Sequence, residues 1–163
     1  MLDAIKKRRS CRNFFEEGVV ENDLIEIIKA GEYAPSAMGN HAVEYLIITK
    51  SEIKKQIYDI VGQDFIRNAP VLIVPIVDTE KSPEQDKDIA VASENIMLQA
   101  QEMDYGTVWK NVSEEWEKRI IPIIRIPKNK HFINIIPIGK CKDNLLEHSG
   151  SDFQAEKIHW EKW

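Results

Sequence analysis

Little in this chain offers metal or dithiol chemistry. Its 163 residues include two cysteines, Cys11 and Cys141, far apart and with no Cys-x-x-Cys or Cys/His spacing, so both read as free thiols. The four histidines (His41, His131, His148, His159) show neither His-x-x-x-His nor His-Glu-x-x-His spacing, and no metal site is expected. Seven glycines and seven prolines leave little room for disordered or repetitive segments. No apolar run is long. The longest, Pro70 to Val77, is far too short to cross a bilayer, so no membrane association is expected. The first residues carry charge but no following apolar stretch, which predicts no secretory signal and a cytoplasmic protein. Nor is there a basic excess. With 22 Lys+Arg against 27 Asp+Glu the net charge is -5, which argues against a general nucleic-acid surface.

Against that acidic background, Lys6-Lys7-Arg8-Arg9-Ser10-Cys11-Arg12-Asn13-Phe14 gathers five cations and a hydroxyl beside an apolar anchor. Arginine forks match phosphate oxygens bidentately, and Ser10 with nearby backbone amides would complete a cradle for a terminal phosphate. Charge alone fits a second reading equally. Met1 to Arg9 reads as a short helix, and cations in a last turn complement the helix dipole.

A composition with 43% hydrophobic and 30% charged residues is that of a globular protein, and the length predicts one domain, residues 1–163, burying about two-thirds of its unfolded surface. Asn22 can cap a helix through about Tyr33, with Leu24, Ile25, Ile27, Ile28 and Gly31 along one stripe and Pro35 beyond its end. Glu44 to Thr49 reads as a strand, and a Ser51-capped helix ends at Gly62. Pro70 to Val77 reads as a strand buried on both faces that Pro75 bends or ends. Asp86 to Met103 is the longest helix and is apolar well beyond a single stripe, so it should be enveloped at the centre of the fold or across a subunit contact. Thr107 to Trp109 is a short extended piece, Ser113 caps a helix through Ile120, and Phe132 to Ile138 is a third apolar strand. The alternation by itself suggests α/β or α+β.

Two loops carry chemistry or are plain turns. Ala34 to His41 is built of small residues that allow close backbone approach to a planar ligand, yet Pro, Ser, Gly and Asn are also ordinary turn residues. Gly106-Thr107-Val108-Trp109 is equally open, since a Trp beside a Gly often anchors a core.

The order of segments decides more than any one of them. Arg8-Arg9-Ser10-x-Arg12-x-Phe14, Ala34-Pro35-Ser36-Ala37, Ala69-Pro70-Val71-Leu72-Ile73-Val74, Glu94-Asn95-x-Met97-Leu98-x-Ala100, Gly106-x-x-Trp109 and Ile136-Pro137-Ile138-Gly139 together resemble the nitroreductase family of FMN-dependent oxidoreductases, over nearly the whole chain. The ending Lys157 to Trp163 is similar to that of short members.

The resemblance implies an α+β fold with a central, mostly antiparallel sheet flanked by helices, and a homodimer with flavin at the interface. The aromatic C-terminal tail would be exchanged across that dimer. Arg8, Arg9, Ser10 and Arg12 match positions that hold the FMN phosphate, ribityl chain and pyrimidine edge. Pro35, Ser36 and Ala37 match a backbone segment from the partner along the isoalloxazine, and Trp109, Lys110 and Asn111 match a segment approaching N5 and O4. Gly39 and His41 stand where relatives commonly carry Asn and Gln, unless Asn40 shifts by one place. The late cation that relatives add to the phosphate has only His148 between Leu146 and Asp152, with Lys140 or Lys142 as substitutes. The stretch from Asp78 to Asp88 is short, so access should be open.

The implied activity is two-step transfer from NADH or NADPH through FMN to a small acceptor such as a nitroaromatic or quinone. The flavin carries the chemistry, and His41 is the one side chain near the expected site able to donate a proton. The alternative is a flavin- or nucleotide-binding sensor, or a dimeric interaction protein without catalysis.

Overall fold

The computed structural model describes residues 1–163. Four strands form the main path of the sheet in the order β1 (Val43–Ile48), β2 (Val71–Asp78), β6 (Asn134–Gly139) and β3 (Gly106–Thr107). Two short strands add to it, β4 (Lys110–Asn111) beside β6 and β5 (Lys130–His131) beside β2. Every pairing is antiparallel.

β2 is buried along its whole length because both of its faces are covered. Leu72, Val74 and Ile76 pack into one apolar cluster with Ile57, Val61 and Ile120, whereas Val71 and Ile73 pack into another with Ile27, Ile96, Met97 and Ala100. Alternate residues of a strand point to opposite faces, so a sheet sandwiched between helices needs an unbroken apolar run. The first cluster is closed by α3 (Ser51–Val61), α4 (Asp64–Asn68) and α6 (Glu114–Ile124), the second by α2 (Glu21–Glu32) and α5 (Gln85–Glu102). Gly31 lets α2 come close: a Cβ there would lie 2.9 Å from both Ile96 and the Tyr45 hydroxyl.

Pro75 neither bends nor ends β2. It pairs with Tyr45 of β1, while on the other side β2 leaves β6 after Ile73 and meets β5 only at Val77. Proline removes a donor, and a gap between two ladders tolerates that loss. Ser113 caps α6 as expected, accepting from the Trp116 N–H, but the helix runs past Ile120 and through Pro122 to Ile124. α2 begins at Glu21 with Val20 as N-cap, and α3 begins at Ser51 with no side-chain cap bond. α4 had no sequence expectation, being only five residues long.

The short helix α1 (Asp3–Lys7) packs on α5. α5 buries Ile89, Ala92, Ile96, Met97 and Ala100, but Val91 is exposed and Leu98 lines an open groove with Leu2, Ala4 and Ala30. Within one chain it packs against the sheet, α2 and α1 and leaves an open stripe at Val91 and Glu94. Residues 149–163 are exposed throughout, with Trp160 at 81%. No helix is long and apolar enough to cross a membrane.

Candidate functional site

The basic segment leaves α1 at Arg8 and runs extended along the sheet margin. Ser10 bridges to Thr107, the Cys11 N–H donates to the Thr107 carbonyl at 2.9 Å, and Phe14 bridges to Cys141. Buried Cys11 and Phe14 are the anchors that place the residues between and before them at the surface. Two of the five cations are spent in exposed ion pairs, Lys6 with Glu147 and Lys7 with Asp3. Arg8, Arg9 and Arg12 pair with no carboxylate. Guanidiniums without a carboxylate partner, on the segment that carries the Ser10 hydroxyl, are donors of the kind a phosphate takes.

The late segment does return to this place. His148 Nδ1 lies 3.4 Å from Arg9 Nη1 and 3.2 Å from an Asp152 oxygen. Asp143 takes the Asn13 side-chain amide at 2.6 Å and the Arg12 and Asn13 backbone N–H groups at 3.3 Å each. Its carboxyl is held below the usual range, first by the Asn13 side chain and then by those two N–H groups. Lys140 is not free for a phosphate: its ammonium donates to the Asp104 carbonyl at 3.1 Å and sits 4.0 Å over the Tyr105 ring, at the end of α5. Lys142 lies over Phe15.

The cysteines are not free thiols. Cys11 and Cys141 form a disulfide across 130 residues of sequence, with neither left reduced. Sequence distance hid this pair, since the fold brings the segment before β1 against the segment after β6. Gly106 lies against the bridge, where a Cβ would sit 2.7 Å from Cys11 Cβ and 2.8 Å from Cys141 Cβ. A glycine is required there by close approach. The one grouping of metal-ligand residues, Cys11, Cys141 and Asp143, has both sulfurs committed to this bond.

From Gly106 the chain leads directly to Trp109, Lys110 and Asn111. Thr107 touches Ser10, and Lys110 is three residues further on, about 10 Å along extended backbone. Trp109 packs partly buried against the α5 side, and Asn111 is exposed. Lys110 is 7% exposed, its ammonium 4.1 Å over the Trp116 ring, and burial pushes its pKa down.

The loop from Pro35 to His41 is held from within. Buried Asp88, 4% exposed, accepts the Ala37 N–H at 2.8 Å and the Ser82 hydroxyl at 2.6 Å, and the Ser36 hydroxyl accepts the His41 N–H. Met38, Gly39 and His41 all have positive φ, so the loop is tightly coiled, with Gly39 and His41 exposed at its tip. Tyr45, whose hydroxyl is buried without a partner, lines the same small cavity as Pro35, Ser36 and His41. Sequence reasoning passed over Asp88, Ser82 and Asp143. The visible signal was a carboxylate at an otherwise apolar position of α5.

One chain brings Arg8–Arg12 against Thr107, two residues before Trp109–Asn111, but not against the Pro35 loop. That loop is tied to Asp88 near the start of α5, whereas Arg9 shares a groove with Gln101 and Asp104 at its end. Asp88 and Gln101 are 13 helical residues apart, about 20 Å.

A sheet covered on both faces by helices, with arginines at one end of a long central helix and a coiled, anchored loop at the other, is an α+β architecture. The nitroreductase family model matches residues 5–64 and 61–140, and the chain belongs to that family. A protein of Methanothermobacter thermautotrophicus with the provisional name NADH dehydrogenase/NAD(P)H nitroreductase is 30% identical, over 100% of this chain and 87% of its own length. One of the same name from Archaeoglobus fulgidus is also 30% identical, covering 99% and 98%. Among solved structures, the FMN-dependent nitroreductase of Clostridium difficile R20291 superposes with a TM-score of 0.93 at 29% identity and full coverage of both chains. The protein is an oxidoreductase with the nitroreductase fold, which sets aside the non-catalytic alternative.

Proposed function

We propose that residues 1–163 act as one FMN-binding domain of a homodimer that carries reducing equivalents from NADH or NADPH to a small acceptor such as a nitroaromatic or quinone, in two half-reactions at one site. The observation that carries this reading is the set of three guanidiniums without a carboxylate partner, Arg8, Arg9 and Arg12, on the segment whose Ser10 bridges to Thr107 of β3. FMN, when bound, supplies hydride acceptance and release at its N5.

The chain's own residues bind and orient. Arg8, Arg9 and Ser10 would hold the phosphate and ribityl chain, with His148 beside Arg9 as the late contributor. Arg12 would face the pyrimidine edge, where a fixed positive charge favours the electron-rich form of the ring. Backbone N–H groups of Trp109 to Asn111 would orient the reactive edge. Pro35, Ser36 and Ala37 would come from the partner, which fits their separation from the arginines within one chain. Gly39 and His41, at the tip of the same loop, would lie at the rim, and His41 is the side chain there able to donate a proton.

The dimer is supported by the apolar surface that one chain leaves open. Leu2 and Leu98 line one groove, and Leu46, Ile47, Ile53, Ile123 and Ile124 line another, of about 520 Å³, along the unpaired edge of β1. The exposed Phe153, Ile158, Trp160 and Trp163 of a partner's tail would suit such a surface. A cytoplasmic location and independence of nucleic acid and membrane belong to the same reading.

Full-length protein mixed with FMN should turn yellow, with flavin bands shifted from those of free FMN, and should oxidise NADH or NADPH only when an acceptor is present. A protein that leaves FMN fluorescence unquenched at saturation would overturn the reading.

A further inference from the structure

The disulfide joins three pieces of the proposed flavin site. Cys11 lies between Ser10 and Arg12, its bridge packs on Gly106 at the start of the strand leading to Trp109, and Cys141 opens the segment that carries Asp143 and His148 back to Asn13 and Arg9. The other ties across this junction are the side-chain contacts of Asp143 with Arg12 and Asn13, of His148 with Arg9 and of Glu147 with Lys6, and backbone bonds from the N–H groups of Cys11, Phe15, Lys142 and His148 to the carbonyls of Thr107, Lys140, Asn13 and Lys6. The side-chain bonds of Asp143 are exposed and open to competition from water. The disulfide is the one covalent link among them.

The two sulfurs are not equally accessible. Cys11 is 0% exposed, whereas Cys141 is partly exposed and lines an open groove of about 470 Å³ that also presents Lys7 and Arg9. An incoming thiolate can reach Cys141, the more exposed of the two, through this groove, where Lys7 and Arg9 stand among Asp104, Asp143 and Glu147. A disulfide in a protein that works in the cytoplasm is ordinarily a transient, redox-sensing one.

We propose that Cys11 and Cys141 form a reversible thiol–disulfide centre that sets the order of the Arg8–Phe14 cradle and thereby how tightly the protein retains its flavin. This rests on the flavin site proposed above. Reduction by a dithiol begins when one of its thiolates attacks Cys141 Sγ. A new S–S bond forms to the reductant, the Cys11–Cys141 bond breaks, and its electron pair leaves on Cys11 as a thiolate that takes a proton from water. The second thiolate of the reductant then closes its own disulfide and releases Cys141. Two electrons have passed from the dithiol to the protein, and oxidation by a disulfide-bearing partner reverses each step. Reduced, the cradle keeps its backbone bonds and its buried Phe14 but loses the covalent tie at Cys11, and with it part of its preorganisation for the phosphate.

The test uses full-length protein equilibrated in mixtures of reduced and oxidised dithiothreitol. Alkylation followed by mass measurement counts thiols, FMN titration gives affinity, and hydrogen exchange reports on residues 8–14. The expected result is two modified thiols in reduced protein and none in oxidised protein. With them should come a rise in the FMN dissociation constant of roughly tenfold or more on reduction, faster exchange at residues 8–14, and full recovery on reoxidation. The variant Cys141→Ser should stay at the weak affinity in every mixture. Should that variant fail to fold, the comparison of the two wild-type states needs no substitution. Equal affinity and equal exchange in the two states would overturn the proposal, as would a bond that resists excess dithiothreitol. If neither state binds FMN, the flavin reading fails, and exchange at residues 8–14 alone then decides whether the centre controls the cradle.

Discussion

The two ends of α5 present two kinds of prepared surface. At its start, the Pro35–His41 loop is fixed by a buried carboxylate, a buried hydroxyl and three residues of positive φ, and it offers backbone rather than charge. At its end, the Arg8–Arg12 segment offers charge without carboxylate partners, and its backbone is fixed by the Cys11–Cys141 disulfide and by Asp143. Shape is preorganised by burial, whereas charge has to stay near water and is tethered from outside. A planar, phosphate-bearing ligand needs both surfaces. With about 20 Å of helix between them, one chain cannot apply both to one ligand, and the difference between the ends becomes an argument for a second copy.

The largest effect is expected from removing the segment that would hold the second copy. Deleting Ile158 to Trp163 should release FMN and yield monomers or aggregates together, because an obligate interface usually buries more than about 2,000 Å² and its loss exposes apolar surface. Sedimentation with absorbance at a flavin wavelength checks it; a soluble truncated monomer with full FMN affinity would contradict both the shared site and the role of the tail.

A smaller effect is expected at the start of α5. Asp88→Ala orphans the Ala37 N–H and the Ser82 hydroxyl, at about 1–3 kcal/mol for each buried group left without a partner. Urea denaturation should show that loss, and FMN titration should show weaker binding although Asp88 faces the loop and not the ligand.

At the other end, Arg12→Ala should weaken FMN binding by about 1.5–3 kcal/mol, one charge-assisted contact, while leaving the protein folded. If the cations serve only the helix end, stability should change by less than about 1 kcal/mol and FMN affinity not at all. Parallel titration and thermal melting separate these outcomes.

The smallest effect is a pH dependence. Asp143 has its folded-state pKa depressed by Asn13 and by the Arg12 and Asn13 N–H groups, so its contribution is present at neutral pH and is lost as pH falls below about 4 and through the depressed value. Asp143→Asn should show the weaker hold at every pH. Hydrogen exchange at Arg12 and Asn13, followed from pH 6 to pH 3, checks the sign.

The sequence alone was enough for the elements with strong periodicity. α2, α3, α5 and β2 lie within a residue or two of their expected bounds, because a helical stripe and a doubly buried strand each leave a pattern in the order of residues. The order of six weak motifs carried the family, and with it the α+β fold, where alternation of helices and strands by itself leaned to α/β. The cations of Arg8 to Arg12 were visible as charge against an acidic chain. Whether they were free was not visible, since pairing depends on which carboxylates fold nearby, and Lys6 and Lys7 found theirs while the arginines did not. Pro75 was misread because a proline's cost depends on whether a neighbouring strand needs its missing donor. Cys11 and Cys141 were misread as separate for the same reason. Composition and local pattern are properties of neighbours in sequence, whereas a bond across 130 residues, a carboxylate beneath a loop and the gap between two halves of a site exist only once the chain is packed.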